Sequence, residues 1–554
     1  MSRRTASMAL GVVAVLAIGT FAVTRSSGDG AAPSPPEGRS DRLFESTDPV
    51  ERGCALGEDL LLPLANGHDP AHSEDVTIVP NAPNYSGTFT ITSHSGPWNY
   101  LQNVPLVLYG PGHIAPAGDI VGHAEVADVY PTIGELTGVQ LPARRGKVLN
   151  DALDLERPSP PKLVLVIVWD GAGRNVLERW PDAWPTLARL EREGTSYQDA
   201  VVGSSPSITP AIHSTLGTGA YPVDHGVTAI EYRTKEGNVR NAFADRDPRD
   251  LRLTTFADEI DRALDNEPIV GTLAWKSWHI GMMGHGAATP DGDHDQLAII
   301  GSDETISGND AFYETPEGLD VLPNLQEHAD DLDRTDGAAD GMWMGHEILE
   351  LHDNPAWVEA ETDALIQMID LGGYGDDDVT DFLFTNFKMT DIVGHQYTMD
   401  SKEMEIVLRA QDDSLARIVA HLEKAVGEFV IVLTADHGHT PDPDSSGAWP
   451  ILQGQLAEDV DAYFDVPFGE TLITTTSAAG PFLNDSVMRE LRIEASDVAK
   501  FLNGYTIRDN WNADELPEAF ADRGDEPVLA AAFASDQYDE VLECAGIRPL
   551  SPLP

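Results

Sequence analysis

Three short strand-like segments, two of them apolar almost throughout, are each followed closely by an acidic residue and organise the middle of this chain. KLVLVIV (162–168) leads through Trp169 to Asp170, DFLFTNF (381–387) leads to Asp391, and FVIVL (429–433) leads to Asp436. A run that is apolar at nearly every position, rather than at alternate ones, predicts a strand buried on both faces, as in a parallel sheet covered by helices. Open α/β sheets gather their ligands in the crevice beyond the C-terminal strand ends. The three aspartates are therefore expected to face one crevice, and the predicted fold class is α/β, a central and mostly parallel sheet flanked by helices.

The polar residues at these strand ends change the picture. His437 follows Asp436, and His395 follows Asp391 at the i, i+4 spacing that puts both side chains on one face of a helical turn. Aspartate and histidine are metal ligands, and Thr209, in SITPAIHSTLGTGAYPVDHG, offers a hydroxyl for a metal to activate. A lone aspartate after a strand is ordinarily a helix N-cap. Three such ends, two of them with histidine, favour a metal centre. Thr209 is read both as N-cap of the helix that begins PAIHSTL and as a reactive hydroxyl. His213, one turn on, is expected to support the site or to pack in the core, and His225 to shape its loop.

VIVWDG, the threonine string, MTDIVGH and LTADHGH together resemble the alkaline phosphatase superfamily, most closely its type I phosphodiesterase/nucleotide pyrophosphatase branch, over about 162–439. The resemblance implies an alkaline phosphatase-like fold with cap insertions and two zinc ions, one held by Asp170, Thr209, Asp436 and His437. The other would be held by Asp391, His395 and a further histidine that the family supplies near its C-terminus. This chain has no histidine after His439. Residues 88–149 instead resemble the family's closing segment, so the chain is expected to be circularly permuted, with His94 as the missing ligand and His439 as its rival. Thr209 is then the nucleophile, passing through a phosphothreonine intermediate. Pro210 stands where the monoesterase type has arginine, which favours a diester or nucleotide pyrophosphate substrate. Ile230 sits near the expected position of a phosphoryl-binding asparagine. Lys276 resembles half of the Lys-x-Arg loop of threonine-using monoesterases and is the expected substrate contact, although Trp278 replaces the arginine. An alkaline phosphomonoesterase or a phosphonate hydrolase shares the same ligands, and a metal-binding cell-surface protein is the non-enzymatic alternative.

Charge narrows the partners. A formal net charge of −57, from 35 basic and 92 acidic residues, excludes binding to a nucleic-acid polymer through a basic surface and leaves a small phosphoester or nucleotide as substrate. Residues 1–25 have a basic start, an apolar stretch and a basic stop, which predicts a signal peptide with a weak cleavage site at Thr20-Phe21-Ala22, or a membrane anchor, and hence export. A tether follows over 26–50, the permuted segment over 51–157, and the main core over 158–554 with insertions near 232–345 and 442–537. The first insertion reads as a lid, and 491–511 within the second as one helix and a strand. Cys54 and Cys544 are the two cysteines of the chain. In an exported, permuted protein they are expected to pair and tie its new ends together.

Overall fold

The structure, a computed structural model, describes residues 46–88, 91–154, 159–235, 237–350 and 352–553. The leader, most of the tether and the linker residues 155–158 lie outside the described residues.

Leu163–Trp169 forms the middle of a ten-stranded sheet, with Asp381–Phe387 and Phe429–Thr434 as its parallel neighbours on either side. Its side chains alternate between two cores. Leu163, Leu165, Ile167 and Trp169 pack with Leu187, Leu365 and Leu408 from helices Pro185–Glu193, Pro355–Gly372 and Lys402–Ala425. Val164, Val166 and Val168 pack with Ile133, Ile212 and Phe256 from helices Val129–Thr137, Thr209–Thr218 and Phe256–Ala263. A strand covered on both faces must be apolar throughout, and each fully buried Val, Leu or Ile contributes roughly 1.5–3 kcal/mol of transfer free energy.

Residues 88–149 deliver two strands to the same sheet. Leu106–Tyr109 runs antiparallel between Phe429–Thr434 and Thr195–Val201, and Gly118–Glu125 lies parallel to the latter. On the other side, Val270–Ala274 and Asp295–Ile300 extend the sheet in parallel. This corrects the lid reading of 232–345. Part of that stretch builds the sheet, because VGTLA and DQLAII are short buried strands inside otherwise acidic, polar sequence.

A smaller core brings early and late parts of the described residues together. Val76–Pro80 pairs antiparallel with Leu529–Ala534, and Val76, Ile78 and Leu529 pack with Trp449, Leu456 and Val498 of the later insertion. Ala495–Asn503 is the expected helix. The expected strand after it is absent, since 505–511 is a turn with an isolated bridge between Thr506 and Pro527. Helix Pro49–Cys54 lies against helix Tyr538–Ala545, where Cys54 and Cys544 form a disulfide with 5.6 Å between their Cα atoms. No helix among the described residues is long and apolar enough to cross a membrane.

Candidate metal centre

Three adjacent parallel strands end side by side, and each places its acidic residue at that edge. Asp170 follows Trp169 directly. Asp391 and His395 lie on helix Met389–Tyr397, which starts just beyond Phe387, so the expected one-face spacing is realised. Asp436 and His437 follow Thr434. His94 joins them, its ring stacked on that of His437 with centroids 3.4 Å apart. Its segment is fastened by Thr92, whose N–H donates to the His395 carbonyl (3.1 Å), and by the Thr440 N–H, which donates to the Ser93 carbonyl (3.2 Å).

Two clusters of ligand atoms result. His437 Nε2 lies 3.4 Å from Asp170 Oδ1 and 3.6 Å from Asp436 Oδ1. Asp391 Oδ1 lies 3.3 Å from His395 Nε2, 3.4 Å from His94 Nε2 and 3.7 Å from both His437 Nε2 and His439 Nε2. These separations are long for hydrogen bonds, and two ligands on one tetrahedral zinc are about 3.3–3.6 Å apart. Asp170 Oδ1, Asp391 Oδ1, Asp436 Oδ2 and His437 Nε2 are buried without hydrogen-bond partners, which a cation would supply.

The imidazoles are oriented for coordination. The Nδ1 atoms of His395, His94 and His437 face the carbonyls of Thr92 (2.6 Å), Ser207 (3.2 Å) and Gly438 (3.1 Å). Each therefore donates Nδ1–H to a carbonyl and turns the Nε2 lone pair into the site, the usual arrangement of a metal-bound histidine. His439 differs, because neither ring nitrogen has a hydrogen bond. Its ring fills the space left by Gly171 and Gly394, where a Cβ would collide with it. His94 Nε2 is thus nearer Asp391 Oδ1 than His439 Nε2 is, and of the two rings only that of His94 has its Nδ1 engaged.

Charge accumulates here. Burial pushes Asp436 up to about 7, with the adjacent Asp170 adding to it. His437 rises to about 9, because Asp436 and the other two aspartates outweigh its burial. Burial acts the same way on Asp170 and Asp391, yet both end below the ordinary carboxylate range, chiefly because of Lys388.

Lys388 is the functional residue that the sequence reading missed. Its buried Nζ donates to Asp170 Oδ2 (2.9 Å) and Asp391 Oδ2 (2.8 Å), leaving both Oδ1 atoms to the ligand clusters, and lies 3.4 Å from Thr209 Oγ1. The signal was its position three residues before Asp391, across the first turn of a helix. Asn386 was missed as well. It donates to Asp170 Oδ2 (3.1 Å) and to His213 Nε2 (3.0 Å), while His213 Nδ1–H donates to the Thr209 carbonyl (2.7 Å). His213 is thus the expected supporting residue. His225 shapes its loop, as expected, by accepting the Val227 N–H at Nδ1 and meeting Thr215 Oγ1 at Nε2.

Thr209 occupies the first turn of helix Thr209–Thr218, and Ile208 is the N-cap, so the capping reading of Thr209 does not hold. Its hydroxyl stands at the positive end of the helix dipole, where an anion is favoured. Lys276 is exposed and lies within electrostatic reach of Lys388 and Asp391.

Residues 164–502 match the model of the type I phosphodiesterase/nucleotide pyrophosphatase family. The chain is 23% identical over 411 residues to the alkaline phosphatase PafA of Elizabethkingia meningoseptica, covering 62% of this chain and 72% of that protein. It is 23% identical over 332 residues to the alkaline phosphatase PhoD of Zymomonas mobilis, covering 54% and 57%. The crystal structure of wild-type PafA aligns with a TM-score of 0.48 and 17% identity over 68% of this chain and 84% of that one.

Proposed function

Because this chain belongs to the type I phosphodiesterase/nucleotide pyrophosphatase family, and is with it a metal-dependent phosphoric-ester hydrolase, we propose that it works by covalent catalysis through Thr209 on a diester or nucleotide pyrophosphate. The carrying observation is the convergence of Asp170, Asp391 and Asp436, with their histidines, on one crevice beside Thr209. Borderline nitrogen donors mixed with carboxylates suit zinc better than a hard cation. Asp170, Asp436, His437 and Thr209 would hold one ion, and Asp391, His395 and His94 another. When bound, these ions supply Lewis acidity and charge neutralisation.

The Thr209 hydroxyl gives its proton to solvent as Oγ1 attacks phosphorus, so the Oγ1–phosphorus bond forms while the bond from phosphorus to the leaving ester oxygen breaks and that oxygen takes up a proton from water. Water then cleaves the phosphothreonine and restores the hydroxyl. Lys388 holds positive charge beside the attacking oxygen, the helix N-terminus faces the incoming anion, and Lys276 meets substrate. Assays of the zinc-loaded protein on a nitrophenyl monoester, a bis-nitrophenyl diester and a nucleotide pyrophosphate test the reading. Higher kcat/KM on the diester or pyrophosphate is expected, because Pro210 follows the nucleophile. A monoester preference would overturn the substrate assignment. That second reading is favoured by Lys276 and Lys388, two cations suited to a dianionic phosphoryl group, and by the alkaline phosphatase names of the relatives.

The permuted order of the chain belongs to the same proposal. It is supported by His94 reaching the site from a segment that precedes the first core strand, and by the disulfide joining the two ends. His94→Ala is expected to lower bound zinc from about two ions to about one per chain, and His439→Ala to do less. The reverse ranking in metal analysis would return the third ligand to the C-terminal half. Export is supported by the disulfide, since such bonds persist in oxidising compartments.

A further inference from the structure

A second group of carboxylates lies at the opposite edge of the sheet. Asp295 begins its strand, whereas Asp170 follows the end of one, and the intervening strands are all parallel. Asp295, Asp293 in the preceding loop and Asp261 on helix Phe256–Ala263 each bring one oxygen within 4.8 Å of the others. Asp295 and Asp261 are only 9% and 6% exposed.

Acidic clusters on protein surfaces are common, and proximity alone assigns nothing. The separate observation is Asp261 Oδ1, a buried carboxylate oxygen with no hydrogen-bond partner, on a side chain whose carboxylate reaches within 4.8 Å of the other two. Nearby donors are already engaged: His285 pairs with Asp258 (Nδ1 to Oδ2, 2.9 Å), and the Asn266 amide donates to the Asp291 carbonyl (2.9 Å). Burial, reinforced by Asp293 and Asp258, pushes Asp261 up to about 7. Burial and then Asp258, Asp261, Asp293 and Glu314 raise Asp295 well above the ordinary carboxylate range. Like charges brought together out of water need a cation or a proton.

We propose that Asp261, Asp293 and Asp295 form a calcium site that fastens helix Phe256–Ala263 to the edge of the central sheet. Oxygen-only ligands select a hard cation and disfavour zinc, which separates this site from the Asp/His centre. Calcium accepts irregular carboxylate geometry with water completing its shell, whereas magnesium demands a near-ideal octahedron. The bound ion would be structural, because it lies at the sheet edge away from Thr209.

The test uses the full chain, stripped by chelation, reloaded with zinc and titrated with calcium chloride, with calorimetric binding and thermal unfolding as readouts. About one calcium ion per chain and a rise of Tm with calcium are expected. Asp293→Asn and Asp295→Asn should each lose both responses. Without calcium, the Asp295→Asn protein should melt no lower than the wild type, because asparagine keeps the shape of the side chain and removes the cost of crowding an acid among Asp258, Asp261 and Asp293. That outcome separates lost binding from failed folding. Undiminished calcium binding in both variants, no calcium binding by the wild type, or a magnesium response equal to that of calcium would overturn the proposal.

Discussion

Replacing Thr209 by alanine is expected to reduce kcat by at least about a thousandfold while leaving Tm nearly unchanged, because removing an attacking oxygen leaves only binding and electrostatic contributions to rate. The structural cost is small. Thr209 is not the N-cap of its helix, its hydroxyl meets Lys388 Nζ at 3.4 Å, and alanine is a better helix former than threonine. The serine variant should retain measurable turnover, since it keeps the oxygen. Kinetics on the best ester, beside thermal melts of the three proteins, provide the check. An alanine variant with most of its rate intact would mean that another group attacks phosphorus.

The parts of this site legible in the sequence were those set by strong local rules. Short uninterrupted apolar runs rich in β-branched residues, such as Leu163–Trp169, read as strands covered on both faces, so the aspartates behind them had a predictable edge to occupy. The Asp391/His395 pair was legible because four residues make one helical turn. The sheet extension at Val270–Ala274 and Asp295–Ile300 was hidden, because a five- or six-residue run set in acidic sequence carries no periodicity that distinguishes it from a lid. Thr209 was read as a cap from its residue type. Chain entry through Ile208 instead makes the threonine the first helical residue. Lys388 was only half legible, because its i, i+3 spacing from Asp391 pointed to one carboxylate partner and not to two. A single lysine in NFKMTD is ordinarily solvated, and its role exists only when two neighbouring strands bring Asp170 beside Asp391.

Replacing Lys388 by methionine is expected to have two effects that zinc separates. Methionine fills a similar volume without charge, so the packing around helix Met389–Tyr397 should survive. In metal-free protein, Asp170 and Asp391 would be left buried without their shared counterion, and breaking such a pair costs about 3–5 kcal/mol. The metal-free variant should therefore melt well below metal-free wild type. Zinc on the Oδ1 atoms neutralises the same carboxylates, so loaded variant and loaded wild type should differ much less in Tm and each carry about two ions per chain. Activity should not recover with stability. The loaded variant still lacks the positive charge beside Thr209 Oγ1, and losing one such group in a dry site costs on the order of 10²–10³ in kcat. Metal analysis, melts with and without zinc, and kcat on one ester distinguish the cases. A zinc-replete variant with wild-type kcat would restrict Lys388 to holding the carboxylates, whereas loss of one zinc would make it a support of the metal site with no separate part in attack.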